Sequence, residues 1–415
     1  MPRRPTPVWV GLNLGFTHRG MTRLLGAGRP RLDPAFERGA DGPETLAVLN
    51  DPPVSAWLPQ FRAAEIDGVF LVTGPDDQHV RRHGDNVVAM LGGAIRLIYS
   101  ETGRVRPGAQ RGHEHFGFAD GISQPGIHGL TPRSQPGRAP NEGLPGQDLV
   151  WSGEFVYGYP AQRADDYRAG PMVPLPAAWA RNGSYMVFRR LEQLVPEFHR
   201  FIADRAAGLG ITPELLAARL FGRWSSGAPL ELAPLRDDPR LGNDRLRNND
   251  FSYGDDRFQR RCPYAAHIRK TYPRDDAPEG EAAMQTHRIL RAGIPFGPEV
   301  QPGETRTAHS RGLMFLCYQI AIARQFEFIQ ASFANDPGFV PGKRRPDDGS
   351  PVRPGIDLII GQAPGNGPRK MDEPVPNYPA GNRRTSIEMP EQFVRLTAAG
   401  YFFMPSLSAL RTVLT

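Results

Sequence analysis

One histidine of this 415-residue chain stands in a segment suited to a flat ligand. His267 belongs to the segment Arg261-Cys262-Pro263-Tyr264-Ala265-Ala266-His267-Ile268-Arg269-Lys270-Thr271. The alanines before the imidazole leave room for a planar ring, and the arginine and lysine after it carry charges that bind carboxylates. The spacing alone leaves two interpretations open, a haem ligand or a hydrogen-bonded structural histidine, of which the second is the commoner.

Two other segments combine a charged side chain with glycines. Asp120 lies in Gly117-Phe118-Ala119-Asp120-Gly121, where the glycines permit unusual turns and the close approach of a ligand, although an ordinary Asx turn has the same pattern. Arg291 enters the apolar, glycine-punctuated segment 290–297. An unpaired buried guanidinium is costly, so we expect a partner anion or a ligand near Arg291.

Metal ligands of other kinds find little support in the sequence. His113 and His115 flank Glu114, and on a strand both imidazoles would point to one face, so a two-ligand metal site is conceivable without a third ligand in view. The two cysteines, Cys262 and Cys317, are too few for a disulfide framework or a four-cysteine site.

Composition limits the class of protein. The net charge is +6, but only three of the 50 basic residues are lysine and no run of five or six basic residues occurs, so we expect a solvated basic surface and no nucleic-acid partner. The longest nearly apolar stretch, residues 312–323, is too short to span a membrane. No secretory signal is visible at the N-terminus, so the default expectation is a cytoplasmic protein, with export by another route left open.

The elements that must position these residues follow an α+β pattern. In the first third, strands are predicted at 8–16, 69–72 and 95–99, with helices that Thr17 and either Asp76 or Asp77 would cap. Residues 126–146 are rich in Gly and Pro and indicate a linker or a long surface loop. The later part predicts strands at 184–188, 313–318 and 401–404, and helices at 191–206, after Thr212, at 324–334 and after Ser406. We expect helices packed on one sheet face, two domains at 1–150 and 151–415, and a loop-rich insertion at about 336–371.

Taken together, these segments resemble the dye-decolourising peroxidase family. The resemblance covers essentially the whole chain and includes the Asp120 motif, the segment 262–271 and Arg291 with its Gly-Ile-Pro-Phe-Gly continuation. Its supporting segments, in the family's order, are Asn13-Leu14-Gly15-Phe16-Thr17, Tyr157-Gly158-Tyr159-Pro160, Asn182-Gly183-Ser184-Tyr185, Gly222-Arg223-Trp224, Ser226-Gly227-Ala228-Pro229 and Phe326-Glu327-Phe328-Ile329-Gln330. The length and the histidine segment resemble the longer, fungal and actinobacterial branch.

The resemblance implies two ferredoxin-like α+β domains with antiparallel sheets, and one haem b per chain in a pocket mainly in the C-terminal domain. It also implies that His267 is the proximal iron ligand and that Asp120 and Arg291 act on the opposite face. Their chemistry agrees, because Asp120 can move a proton between the two peroxide oxygens and Arg291 can stabilise the leaving oxygen. A carboxylate beside a guanidinium has a lowered pKa, so we expect an acidic activity optimum.

Finer assignments also follow from the resemblance. Asp357 is the expected acceptor for the second ring nitrogen of His267, with a cap at the start of a strand as the alternative. Leu313 and Phe315 match pocket-lining positions, although plain core packing explains them equally well. Arg269 is the candidate partner of a haem propionate. Four aromatic residues are candidates for an electron relay to bulky donors, Trp224, Tyr253, Tyr264 and Tyr401. Ala292 departs from the second basic residue that many relatives carry after the distal arginine.

The function predicted is that of a haem peroxidase that reduces hydrogen peroxide and oxidises organic donors such as dyes and phenolics. The alternative is a protein that binds haem or releases its iron with little turnover. The presence of both Asp120 and Arg291 favours the enzyme, since haem binding alone needs neither.

Overall fold

A computed structural model describes residues 9–26, 31–62, 65–132, 141–345, 348–363, 367–373 and 385–414. Its strands are β1 Gly11–Phe16, β2 Gly68–Thr73, β3 Gly126–Ile127, β4 Leu149–Val150, β5 Pro160–Gln162, β6 Ala169–Met172, β7 Ser184–Gln193, β8 Leu290–Arg291, β9 Ile294–Phe296, β10 Gly312–Gln319, β11 Arg369–Glu373, β12 Thr385–Met389 and β13 Val394–Met404. Its helices are α1 His18–Leu25, α2 Pro34–Arg38, α3 Pro43–Leu49, α4 Pro59–Arg62, α5 Asp77–Leu91, α6 Val195–Leu209, α7 Pro213–Phe221, α8 Pro239–Asn243, α9 His267–Thr271, α10 Glu281–Gln285 and α11 Leu407–Thr412, with π-helical turns at Ala323–Glu327 and Ile329–Ala334.

One antiparallel sheet organises the molecule. Its strand order is β2-β1-β13-β7-β10-β8, and β9 pairs with the other end of β10. The long strands β7, β10 and β13 form its centre, whereas β1 joins β13 through a single pair, Phe16 with Phe403. Strands from the first 150 residues therefore extend the sheet of the C-terminal part. The α+β architecture is confirmed, and the domain boundary at residue 150 stays a prediction.

Local chemistry explains where four of the helices begin. The side chains of Thr17, Asp76, Thr212 and Ser406 each accept a hydrogen bond from a backbone N–H in the first turn of the helix that follows. Such capping satisfies donors that have no partner inside the helix. The sequence predicts the caps Thr17 and Thr212, and Asp76 is the one of two candidates that forms; for Ser406 it predicts only a helix start, not the cap.

Two secondary-structure predictions are wrong. Residues 95–99 form no strand, because Tyr99 instead packs on Phe61 and donates a hydrogen bond to Glu101, which pairs with the buried Arg190. Residues 191–193 continue β7, and helix α6 begins only at Val195. The backbone of β7 is paired on both sides there, by β10 and β13, and this pairing overrides the helical spacing of the side chains.

The sheet presents one face of its central strands to a large internal cavity. Because side chains alternate along a strand, Arg189, Leu191 and Gln193 of β7 all point into it, as do Leu313 and Phe315 of β10. Helices α7 and α9, together with Ile359, Ile360 and Gln362, line another part of the cavity. The loop-rich insertion at about 336–371 includes residues outside the described ranges and stays a prediction. Within the described ranges, no helix is both long enough and apolar enough to cross a membrane.

Candidate active site

The cavity has a volume of about 1750 Å³ including its mouth, and its walls are largely apolar. His267, Asp120 and Arg291 all line it, although they lie far apart in the sequence. A cavity of this kind, with a few convergent polar groups, is the usual form of a cofactor or substrate site.

His267 is held by a carboxylate from the loop-rich segment. Its Nδ1 atom lies 2.7 Å from Oδ2 of Asp357, whose side chain is fully buried. The other oxygen of Asp357 accepts the backbone N–H groups of Ile359 and Ile360, so the carboxylate is fixed in position. Asp357 therefore acts both as the partner of His267 and as the cap of a turn. With its proton on Nδ1, the imidazole leaves a lone pair on Nε2, which bonds to no described residue.

Close packing between two helices places His267 at the cavity wall. Helix α7 ends at Phe221, and the residue that caps it, Gly222, has a φ of +85°, in the left-handed region that favours glycine. A Cβ atom on Gly222 would stand 2.4 Å from the side chain of Ile268, so glycine is required for α9 to approach this closely. His267 is the first residue of α9, and Thr271, one turn later, lines the same cavity.

A second histidine, His287, also lines the cavity and was not singled out from the sequence. Its ring stacks on Phe328 at 3.9 Å, and its Nδ1 atom lies 2.5 Å from the carbonyl oxygen of Arg324. Burial lowers the pKa of His287. Its acceptor is a neutral carbonyl, whereas His267 faces a carboxylate, which raises the donor strength of an imidazole further.

The loop that carries Asp120 is built on a buried acid. Glu114 accepts the backbone N–H groups of Phe116 and Phe118, both at 2.8 Å, and the side-chain amide of Gln193. Burial raises the pKa of Glu114, although these hydrogen bonds act in the opposite direction. Gly117 and Gly121 have φ angles of +96° and +81°, so the unusual turns expected on either side of Asp120 are present.

Asp120 and Arg291 form an ion pair on the cavity wall. Nη1 of Arg291 donates to Oδ1 of Asp120 at 2.7 Å, and the same oxygen accepts the N–H of Gly121 at 2.6 Å. Oδ2 of Asp120 accepts no hydrogen bond from the described residues, and the Asp120 residue lines the cavity. Burial by itself would raise the pKa of Asp120, but the Arg291 charge and these hydrogen bonds lower it below its ordinary value.

Arg269 does not line the cavity, which corrects the expectation that it binds a propionate. Its side chain is fully buried behind α9, where it forms ion pairs with Asp256 and Asp276 and donates to the carbonyl oxygen of Cys262. Two residues along a helix point to roughly opposite sides, so Arg269 faces away from the surface that His267 presents. Its donors are also taken up by protein acceptors.

Two other buried arginines, which were not selected from the sequence, have no acidic partner in the described part of the chain. Arg223 lines the cavity and donates to the carbonyls of Gly227 and Asn248, and it shares the side-chain oxygen of Asn249 with Arg274. Neither arginine forms an ion pair with a carboxylate of the described residues. Burial, followed by repulsion from Arg274, lowers the pKa of Arg223 to about 9. The positive charge of Arg223 is therefore available to bind an anion at this part of the cavity wall.

Of the remaining candidate residues, two line the cavity and the others do not support the roles considered for them. Leu313 and Phe315 line the cavity as expected. The four relay candidates are all buried, Trp224, Tyr253, Tyr264 and Tyr401, so none of them offers a ring at the surface. His113 and His115 bond to carbonyl oxygens in different places, and the described part of the chain contains no group of three or more metal-ligating side chains.

Comparison with known proteins assigns both halves of the chain to the same family. The family model for the DyP dimeric alpha+beta barrel domain matches residues 4–107. The model for the C-terminal part of Dyp-type peroxidases matches residues 218–339. The second match contains His267 and Arg291, and Asp120 lies between the two.

Similar proteins extend the match over nearly the full length. A dye-decolorizing peroxidase of Mycetinis scorodonius is 38% identical and covers 98% of this chain and 77% of its own. A multifunctional dye peroxidase of Amycolatopsis sp. is 34% identical, covering 97% and 82%. The structure of an ancestral D-type dye decolorizing peroxidase is similar with a TM-score of 0.83 at 39% identity, covering 99% of this chain and 87% of that one. A dye-decolorizing peroxidase in complex with 2,6-dimethoxyphenol also gives 0.83, at 36% identity and 100% and 88% coverage.

Proposed function

The chain belongs to the dye-decolourising peroxidase family, and from that membership we propose how its residues work as a haem peroxidase on hydrogen peroxide and organic donors. The observation that carries the proposal is that one cavity holds a carboxylate-paired imidazole together with a carboxylate–guanidinium pair. The phenolic ligand of a similar structure supports phenols and dyes as the donor class.

The cavity suits haem in three respects. His267 offers an unpartnered Nε2 atom to iron, and apolar side chains such as Leu313 and Phe315 suit the faces of a porphyrin. Arg223 lines the cavity without an acidic partner among the described residues and would hold a propionate. When bound, haem supplies an iron centre that exchanges electrons with peroxide and with the organic donor.

We assign haem b, held without covalent bonds, at one per chain. Covalent attachment of the c type uses a Cys-x-x-Cys-His segment, and His267 is preceded by no such pair. Cys262 and Cys317 are both buried, in different hydrophobic clusters. The single histidine with a carboxylate partner in this cavity supports one cofactor.

Asp120 moves the proton that peroxide cleavage requires. Its Oδ1 atom is occupied by Arg291 and Gly121, so the free Oδ2 atom is the base. Oδ2 accepts the proton of one peroxide oxygen and returns it to the other as the oxygen–oxygen bond breaks. Because its pKa is lowered, Asp120 remains a carboxylate in acid.

Arg291 has two tasks in this proposal. It keeps Asp120 ionised, and its remaining N–H groups stabilise the negative charge that develops on the leaving oxygen. In this proposal Asp120 alone takes up and releases a proton during the cycle.

The ligand assignment is tested by titrating the apoprotein with haem and following the Soret band. We expect His267→Ala to lose the spectrum of a histidine-ligated haem, while His287→Ala, the matched control in the same cavity, keeps it. The opposite result would transfer the ligand role to His287.

Turnover is tested by adding hydrogen peroxide to the haem-loaded protein. We expect a rapid Soret change in the parent that slows by at least about 100-fold in Asp120→Ala and in Arg291→Ala, in line with general acid–base and electrostatic terms. A protein that only binds haem would show the same slow change in all three.

A further inference from the structure

The partner of Asp120 lies on a short strand at the edge of the sheet. Strand β8 consists of Leu290 and Arg291 and pairs with β10 on one side only. Ala292 donates its backbone N–H to Leu316 of β10 at 2.8 Å, so the polar backbone groups of Arg291 point the other way, off the sheet. The backbone of Arg291 is therefore paired by the sheet on one side only, and its outward N–H and C=O groups need another partner.

The side-chain amide of Gln124 takes the place of the missing neighbouring strand. Its Nε2 atom donates to the carbonyl oxygen of Arg291 at 2.5 Å, and its Oε1 atom accepts the N–H of Arg291 at 3.2 Å. This is the pair of bonds that the N–H and C=O of one residue in a neighbouring antiparallel strand would make. If the amide of Gln124 were rotated by 180°, its NH₂ group would face the N–H of Arg291 and its oxygen would face the carbonyl oxygen. Only the observed orientation makes both hydrogen bonds.

Gln124 comes from the loop that carries Asp120. It stands four residues after Asp120, and its own carbonyl oxygen accepts a hydrogen bond from Gln147 at 3.1 Å. The next residues are buried, and Gly126 begins β3. One side chain therefore ties the loop of the base to the strand of the guanidinium.

We propose that Gln124 is a positioning residue that holds Arg291 in register with Asp120, so that the pair meets peroxide in a fixed geometry. The inference rests on the proposed roles of Asp120 and Arg291. The ion pair itself is partly exposed to the cavity, and such a pair contributes little to its own placement. A misplacement of 1 Å in a catalytic group can lower a rate about 100-fold.

A double-mutant cycle tests this. In Gln124→Met the side chain keeps its length and loses both bonds, and we expect the rate constant of the peroxide reaction, from stopped-flow Soret changes, to fall at least about tenfold. In the Arg291→Ala background the same substitution should change the rate by less than about twofold, because the group it positions is gone. Gln301→Met, which removes an exposed glutamine amide that donates to the carbonyl oxygen of Glu299 and hydrogen-bonds to neither Gln124 nor Arg291, should stay within about twofold of the parent.

Two further readouts separate positioning from general loosening. We expect the acid limb of the rate profile to move to higher pH in Gln124→Met, because a displaced Arg291 no longer lowers the pKa of Asp120. Cyanide should also bind the ferric haem more weakly than in the parent at equal haem content, since HCN must give up its proton at the same pair. If Gln124→Met takes up no haem, Gln124→Glu keeps the length and one acceptor, and the same tenfold loss is expected.

The outcomes are distinct. A parental rate in Gln124→Met, or an equal loss in both backgrounds, overturns the positioning role while leaving the proposed function intact. A parental rate in Arg291→Ala alone overturns the proposed function, and the positioning role with it.

Discussion

Replacing Asp357 by asparagine exchanges one carboxylate oxygen for an NH₂ group. The remaining oxygen can then accept either the backbone N–H groups of the turn or the proton of His267, but not both. Oδ1 of Asp357 accepts two backbone N–H groups, at 2.8 and 3.1 Å, while Oδ2 accepts the proton of His267 Nδ1 at 2.7 Å. An amide has a single oxygen. If that oxygen stays on Ile359 and Ile360, the NH₂ group meets Nδ1–H, and the imidazole must move its proton to Nε2, where it blocks iron binding.

The magnitude follows from the bond that is lost. A hydrogen bond to a charged group contributes about 1.5–3 kcal/mol, and each ~1.4 kcal/mol is a factor of about ten in affinity. We therefore expect Asp357→Asn to weaken haem binding about 10- to 100-fold, the usual range for a partner of a metal-bound histidine. The reduction potential should rise, because the imidazole loses its anionic partner and becomes a weaker donor.

The assay is a haem titration of the apoprotein, followed by spectroelectrochemistry of the loaded protein. Asp336→Asn is the matched control, because the Asp336 carboxylate caps a turn in the same loop-rich segment through the N–H of Gly338. It should bind haem like the parent. If Asp357→Asn binds within about threefold of the parent with an unchanged potential, the carboxylate does not govern the imidazole and the reasoning is refuted.

Two other predictions follow from the charges of the site. The pKa of Asp120 is lowered in the folded protein, so activity and the stabilising ion pair should both persist below the ordinary carboxyl pKa of about 3.9 and be lost only as pH falls through the lowered value. A rate profile of the peroxide reaction that peaks at pH 8 would contradict this. Arg223→Met should weaken haem binding about tenfold, whereas Arg269→Met should leave it unchanged and lower the free energy of unfolding of the apoprotein by about 3–5 kcal/mol, since it leaves buried acids unpaired. Haem titration and urea unfolding measure the two effects, and equal losses of affinity would contradict the assignment.

The sequence predicts best where short-range chemistry decides. Thr17 and Thr212 cap their helices because the donors they satisfy lie within three residues. Asp120 and its flanking glycines likewise specify their own turn. In contrast, the side-chain spacing of residues 191–193 is typical of a helix, but their backbone pairs with the two neighbouring strands β10 and β13. These strands are distant in the sequence, so the local pattern does not predict the pairing.

Helical geometry could have corrected one of the site assignments in advance. Once α9 is known to begin at His267, the residue two positions later must point away from the cavity and the residue four positions later toward it. Arg269 and Thr271 behave accordingly. The sequence did not predict the start of α9, because its cap residue, Ala266, makes no side-chain hydrogen bond that could mark it.

Arg223 is identified as a cofactor-binding residue by the hydrogen-bond and ion-pair partners of its guanidinium, and these partners cannot be read from the sequence alone. A buried charge that is fully paired within the protein, as Arg269 is with Asp256 and Asp276, has nothing left to offer a ligand. Arg223 is equally buried but meets only neutral oxygens, and burial shifts its pKa downward for that reason. His267 follows the same rule, with one nitrogen held by Asp357 and the other free. We therefore expect the cofactor to be bound by residues whose polar groups are fixed in position by the fold but are not all paired within the protein. Arg223 and Arg269 are both buried arginines, and they differ in this pairing.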